Sequence, residues 1–265
     1  MAEEKTFRDV QIPANKIEIN KIGVGDLWQA LKQGYDDFTA HPTHIVFIAA
    51  IYPLFALLLT LFLAGKNVAH LAFPVISGLA LLGPAVAVCL FEMSRHRERG
   101  REMSWGSAFE FVHSAHFAPI VALSLVMMVL YVAWLYMAQL MYTGLFGDAA
   151  PASLAAFANE VLNTRRGGAL IAYGTFVGFL FAVVVLATSV VAFPLILDRP
   201  VTTMTAVSTS IRAVAANSFV MALWGVIVVA LLVAGAAVLL IGLAVVLPVL
   251  GHATWHLYRR LVKPD

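Results

Sequence analysis

From about residue 43 onward the chain alternates long apolar stretches with short polar ones, and the stretch lengths carry the first inference. A helix rises about 1.5 Å per residue, so about 20 apolar residues cross a hydrocarbon core of about 30 Å. Six stretches reach that length, at 43–63, 71–93, 117–142, 168–197, 219–238 and 239–258. The last two come from one unbroken apolar run, which we divide at a tight turn near Val238, between Gly235 and Gly242. The expected fold is all-α: a polytopic membrane bundle of six transmembrane helices arranged as three hairpins. Residues 1–22 form a polar cytoplasmic segment and residues 23–265 a single membrane domain.

A shorter stretch precedes each hairpin, with apolar residues at helical spacing and polar residues between them. In the first, Leu27, Trp28, Leu31, Gly34, Tyr35 and Phe38 share one face, opposite Gln29, Lys32, Gln33, Asp36 and Asp37. Asp26 with Gln29 can cap its start. In the second, Trp105, Ala108, Phe109, Val112 and His113 make the face, and Ser107 with Glu110 offers a capping box. In the third, Met204, Val207, Ile211, Val214 and Ala215 do so more weakly. Such helices bury an apolar face at the headgroup boundary and keep their charges wet, which predicts positions at the inner leaflet. Packing against the underside of the bundle is the alternative.

Composition agrees with a membrane protein: 61% of residues are hydrophobic and 12% charged, against about 25% charged in soluble domains. A net charge of +2 gives no reason to expect a nucleic-acid partner. The placement of basic residues matters more than their sum, because they concentrate in cytoplasmic loops. Lys5, Arg8, Lys16, Lys21 and Lys32 precede the first span; Arg95, Arg97, Arg99 and Arg101 follow the second; Arg199 and Arg212 follow the fourth; Arg259, Arg260 and Lys263 follow the sixth. Both termini are therefore expected in the cytoplasm, and the polar first forty residues do not resemble a secretory signal. The lone Cys89 excludes an intrachain disulfide.

Two segments echo each other. Gly78-Leu79-Ala80, Pro84, Phe91 and Arg95 recur at the same spacing as Gly242-Leu243-Ala244, Pro248, Trp255 and Arg259. Pro194 occupies the matching place in the middle hairpin, with a shorter interval to Arg199. Each proline removes one helical hydrogen bond, so Pro84, Pro194 and Pro248 are expected to kink their spans at similar depth. Span four also carries Gly174, Gly178 and Ala182 as a smooth stripe for a neighbouring helix. The loop 143–167 contains a short helix expected over 151–162.

Through Gly83-Pro84, Phe91-Glu92-Met93-Ser94-Arg95 and the run from Pro248 to Arg259, the chain resembles a bacterial family of six-span membrane proteins known as a domain of unknown function. The 28–38 surface helix and the 95–105 loop extend that resemblance. It implies a bacterial inner-membrane location. Some members carry the label of a cytochrome c oxidase subunit. The plan is more distantly similar to the membrane domain that precedes some glycerophosphodiester phosphodiesterases, which transfers no catalytic residue.

A haem-copper centre needs several histidines buried in spans, and here only His252 lies clearly inside one. His252 and His256 share a helical face and could hold one metal or haem edge; alternatively, with Trp255 and Tyr258, they form an interfacial belt. Ala253 stands where a zinc hydrolase of His-Glu-x-x-His type needs its base. Arg95, Arg97, Arg99 and Arg101 could bind anionic lipid headgroups, or could serve only to set topology. The spans lack charges away from their ends, which weakens ion-coupled transport. The expected role is non-enzymatic and cofactor-free: a component that meets membrane lipids or associates with other membrane proteins. The rivals are a small-molecule or lipid transporter and a haem- or metal-binding accessory of a respiratory complex.

Overall fold

The computed structural model describes residues 12–41, 69–101, 104–149, 151, 153–238 and 241–264. The stretch expected as the first span, 43–63, lies outside them. The described residues are helical, with one isolated antiparallel bridge between Ile19 and Val262. In chain order the helices are α1 (Val24–Ala40), α2 (Ala72–Val86), α3 (Val88–Glu98), α4 (Trp105–Ala108), α5 (Phe117–Phe146), α6 (Leu154–Asn163), α7 (Arg165–Ser189), α8 (Ala192–Asp198), α9 (Thr203–Ala216), α10 (Ser218–Ala237) and α11 (Leu243–Leu261). Among the described residues, four segments are long and apolar enough to cross a membrane: Ala72–Glu98, Phe117–Phe146, Arg165–Asp198 and Ser218–Ala237.

The long C-terminal apolar run breaks where a turn is expected, with α10 ending at Ala237 and α11 beginning at Leu243. Glycines allow the two helices to meet there. A Cβ on Gly242 would lie 2.7 Å from Gly235 Cα, closer than any side chain tolerates. The helix expected over 151–162 is α6, capped by the Ser153 hydroxyl accepting from Ala156 N–H at 3.1 Å.

The prolines do not act alike. The second span is interrupted at Ala87, three residues after Pro84, and the fourth at Val190–Val191, just before Pro194. Helix α11 instead runs unbroken through Pro248. Pro248 lies in the second turn of α11, two residues after Val246 N–H makes the first i−4 bond to Gly242 O, so it removes the bond to Ala244 O without ending the helix.

The chain divides into two compact units. One comprises 1–51, 84–125 and 186–265; the other comprises 52–83 and 126–185. In the second unit, the Trp134 indole donates to Pro74 O at 2.9 Å, and Gly78 leaves room for the Tyr131 and Trp134 rings. His70 stacks on Tyr142 with ring centroids 4.0 Å apart and contacts Gln139 Oε1 at 2.6 Å. Among the described residues, the small-residue stripe meets Trp134 at Gly178, while Gly174 meets open space and Ala182 is exposed.

The first unit gathers α1, α3, α8, α9, α10 and α11, and so unites the C-terminal ends of the second, fourth and sixth expected spans. Helix α1 lies along α11 because both present small residues. A Cβ on Gly34 would fall 2.7 Å from Ala253 Cα. The polar N-terminal segment is docked as well: Asn20 N–H donates to Leu261 O at 2.9 Å, Lys263 N–H to Glu18 O at 3.1 Å, and Ile17 is buried.

The amphipathic helices depart from expectation in register. On α1, Leu27, Gly34 and Phe38 are buried as predicted, but Trp28 is 74% exposed and Tyr35 is exposed, while Asp37 of the expected wet face is buried. On α9 the inner face is Ala206, Thr209, Ser210 and Ala213, and the predicted apolar residues Met204 and Ile211 point outward. The second expected helix is only the single turn α4 followed by a 3-10 turn, Glu110–His113. Its expected cap is not formed by Glu110, whose carboxylate lies 3.3 Å from His96 Nε2. The start of α1 is closed by Gly23 N–H donating to Asp26 Oδ2 at 2.8 Å, without Gln29.

Candidate functional site

The convergent ends of α3, α8 and α11, together with α1, carry most of the charge in this unit. Asp37, in the last turn of α1, stands at the centre. Its Oδ2 accepts from the Ser94 hydroxyl of α3 at 2.5 Å and from His256 Nε2 of α11 at 2.8 Å, and its Oδ1 accepts from Arg97 at 2.6 Å. One turn before His256, His252 Nδ1 lies 2.8 Å from Ser94 Oγ and 4.0 Å from Asp37 Oδ2. Since the Ser94 hydrogen goes to Asp37, His252 Nδ1–H donates to the Ser94 oxygen, which leaves Nε2 bare. That Nε2 is buried without a partner.

Burial pushes the Asp37 carboxyl up, but hydrogen bonds from His256 and Ser94 and the charges of the two histidines outweigh it, so its pKa is lowered. The chain can bury this carboxylate because three donors from two other helices meet its two oxygens. The two histidines do share a face, as their spacing requires. What they share it with is Asp37 and Ser94, so the pair reads as the anchored half of a hydrogen-bond network.

A second network joins α3, α8 and α11. Glu98 accepts from the Trp255 indole at 3.0 Å and pairs with Arg259 at 2.8 Å. Asp198 accepts from the Tyr258 hydroxyl at 2.7 Å and from Arg259 at 3.1 Å. Burial lowers the pKa of Arg259, yet Asp198 and Glu98 reverse the effect and raise it overall. Arg260 reaches back to α1, donating to Gln33 at 2.8 Å and Gln29 at 3.2 Å. Between the networks opens a cleft of about 490 Å³, lined by Gln33, Asp36, Asp37, Ser94, Arg97, Glu98, His256, Arg259 and Arg260.

A third group lies on the far side of α3. Glu92 is fully buried; its Oε1 pairs with Arg95 at 2.5 Å and lies 3.2 Å from His96 Nε2. His96 Nε2 also lies 3.3 Å from Glu110 Oε2.

The four arginines expected to gather at headgroups are thus divided. Arg95 is bound to Glu92 and donates to Leu197 O, Arg97 holds Asp37, Arg99 lies 3.9 Å from Asp198, and Arg101 is exposed. Two of the four serve internal carboxylates. Asp37, Ser94 and Glu110 were not legible as site residues. Asp37 reads as a solvated helix position, and Ser94 as part of a span end. For Asp37 the signal is that α1 places small residues, Gly34 and Ala30, one and two turns before it.

A family model described as a predicted integral membrane protein, DUF2189, matches residues 72–198. The chain matches no curated protein and no solved structure. The matched stretch holds three of the four membrane-capable segments, with Gly83-Pro84 and Glu92 to Arg95 within it. Residues 72–198 of this chain are thus similar to DUF2189, a family of predicted integral membrane proteins of unknown function.

Proposed function

We propose that this is a non-enzymatic six-span protein of a bacterial inner membrane, with both termini cytoplasmic, that engages inner-leaflet lipids through α1 and α9. One observation carries the reading. Both helices turn large apolar side chains outward, Val24, Trp28 and Tyr35 on α1 and Met204 and Ile211 on α9, while small or polar residues face the protein. Helix α1 has three faces: Leu27, Ala30, Gly34, Asp37 and Phe38 inward, Val24, Trp28 and Tyr35 outward and apolar, and Gln29, Lys32, Gln33 and Asp36 outward and polar. A bilayer interface suits that division, since it accepts indole and phenol rings at headgroup depth and leaves the polar face in water.

Six crossings are favoured by two features. Helix α11 and the stretch 43–63 add to the four long apolar segments. Pairing of the chain's ends, at Ile19 with Val262 and at Glu18 with Lys263, favours an even number of crossings.

The test is purification in mild detergent followed by lipid mass spectrometry. The wild-type chain should retain enriched anionic lipid, and the double variant Trp28→Glu, Tyr35→Glu should lose it while keeping its thermal unfolding profile. Recovery of the wild-type chain with no lipid enriched above the bulk extract overturns the proposal.

A further inference from the structure

The group on the far side of α3 has the dimensions of a cation site. Glu92 and His96 are one turn apart on α3 and Glu110 follows α4; one donor atom from each lies within 4.8 Å of the others. Two features separate this trio from ordinary ion pairing. His96 Nε2 carries at most one hydrogen, yet it stands between two carboxylate oxygens at 3.2 and 3.3 Å. Both distances exceed the roughly 2.7–2.9 Å of a charge-assisted N–H···O bond, whereas His256 and Asp37 in the neighbouring network meet at 2.8 Å. Ligands about 2.0–2.1 Å from one tetrahedral ion lie about 3.3 Å from each other, and His96 Nε2 lies at 3.2 and 3.3 Å from the two carboxylate oxygens. Second, Glu92 is 0% exposed and its Oε2 has no hydrogen-bond partner, an expensive arrangement for a buried carboxylate.

We propose that Glu92, His96 and Glu110 bind a divalent first-row cation of the zinc class. One imidazole nitrogen and two carboxylates suit such an ion, and water completes the fourth position. On binding, the cation replaces any hydrogen on His96 Nε2, which leaves to water. Arg95, already on Glu92 Oε1, then serves as an outer partner that orients the carboxylate. Glu110 is 58% exposed and supplies the entry path from solvent. The bound ion ties α3 to the turn Glu110–His113.

The full chain, metal-stripped in detergent, is titrated with Zn²⁺ by calorimetry. The expected result is one ion per chain, with affinity weakened at least about tenfold in Glu110→Gln and unchanged in Glu98→Gln, whose carboxylate belongs to the Arg259 network. Because Glu110 is exposed, its substitution spares the core. No saturable binding above the detergent blank, wild-type affinity in Glu110→Gln, or equal weakening in Glu98→Gln overturns the proposal.

Discussion

Asp37 shows how much can depend on one side chain. Three donors from two helices, Ser94 and Arg97 of α3 and His256 of α11, end on its two oxygens. Removing the acceptor leaves the buried Ser94 and the half-buried His256 without their partner while Arg97 can turn to the cleft, so Asp37→Ala should destabilise the unit by about 1–3 kcal/mol, and Asp37→Asn by less. Thermal unfolding in detergent at pH 7 measures both. The same carboxylate makes stability pH-dependent. Its pKa is lowered on folding, so its contribution is complete above the ordinary carboxylate value of about 3.9 and disappears as pH falls from there through the lower folded value. Wild-type and Asp37→Asn unfolding temperatures should therefore differ most at neutral pH and converge in that acid window. A constant difference down to pH 3 would show that Asp37 acts only through packing. None of this is legible from position, because an Asp at a helix end reads as solvated until a partner helix is placed over it.

Among the elements, α1 was read correctly as an amphipathic helix and incorrectly as having one apolar face. Hydropathic periodicity adds together every apolar residue on a side; it cannot separate those that meet protein from those that meet lipid. Gly34 decides the division, since it lets α1 approach Ala253 of α11 closely. A bulky residue there cannot be accommodated by rotamer change, because the obstacle is backbone. Gly34→Leu should cost about 1–3 kcal/mol and separate α1 from α11, which a Cys pair across the two helices would report as lost crosslinking. On α9 the weak periodicity had the opposite outcome: the apolar residues that define it stay outside, and hydroxyls pack within. Thr209 bonds to Thr205 O at 2.8 Å, and Ser210 accepts from Val191 N–H at 3.2 Å, at the interruption before Pro194. The one-turn α4 was missed because Glu110, expected to cap a helix, is close to His96 on α3 instead.

For the molecule as a whole, the echo between the second and last apolar stretches has a spatial counterpart. Ends related by sequence, at Arg95 and Arg259, come together with the Asp198 end in one compact unit. Their differences are where the chemistry lies: Glu92 meets Arg95 and His96, and His256, at the matching position, meets Asp37. The proposed topology predicts that a cysteine at Lys66 or Arg165 is labelled by an impermeant reagent from the outer side in spheroplasts, and that cysteines at Arg101 and Lys263 are protected until the membrane is opened. Outer labelling at Lys263 would leave five crossings.

Membrane character, the helical class, the break between Ala237 and Leu243 and the short helix after Ser153 all follow from the chain alone, because hydropathy, helical period and capping are properties of neighbouring residues. The two charged networks do not, because each is assembled from segments far apart in the chain, and the Glu92–His96–Glu110 trio forms only where the turn Glu110–His113 folds back against α3. Burial of Asp37 depends on Ser94, Arg97 and His256 arriving together, and no local pattern records that Arg97 pairs with Asp37 while Arg101 remains in solvent. Whether a charged residue is a solvated residue or the centre of a network is set by what the other helices bring to it.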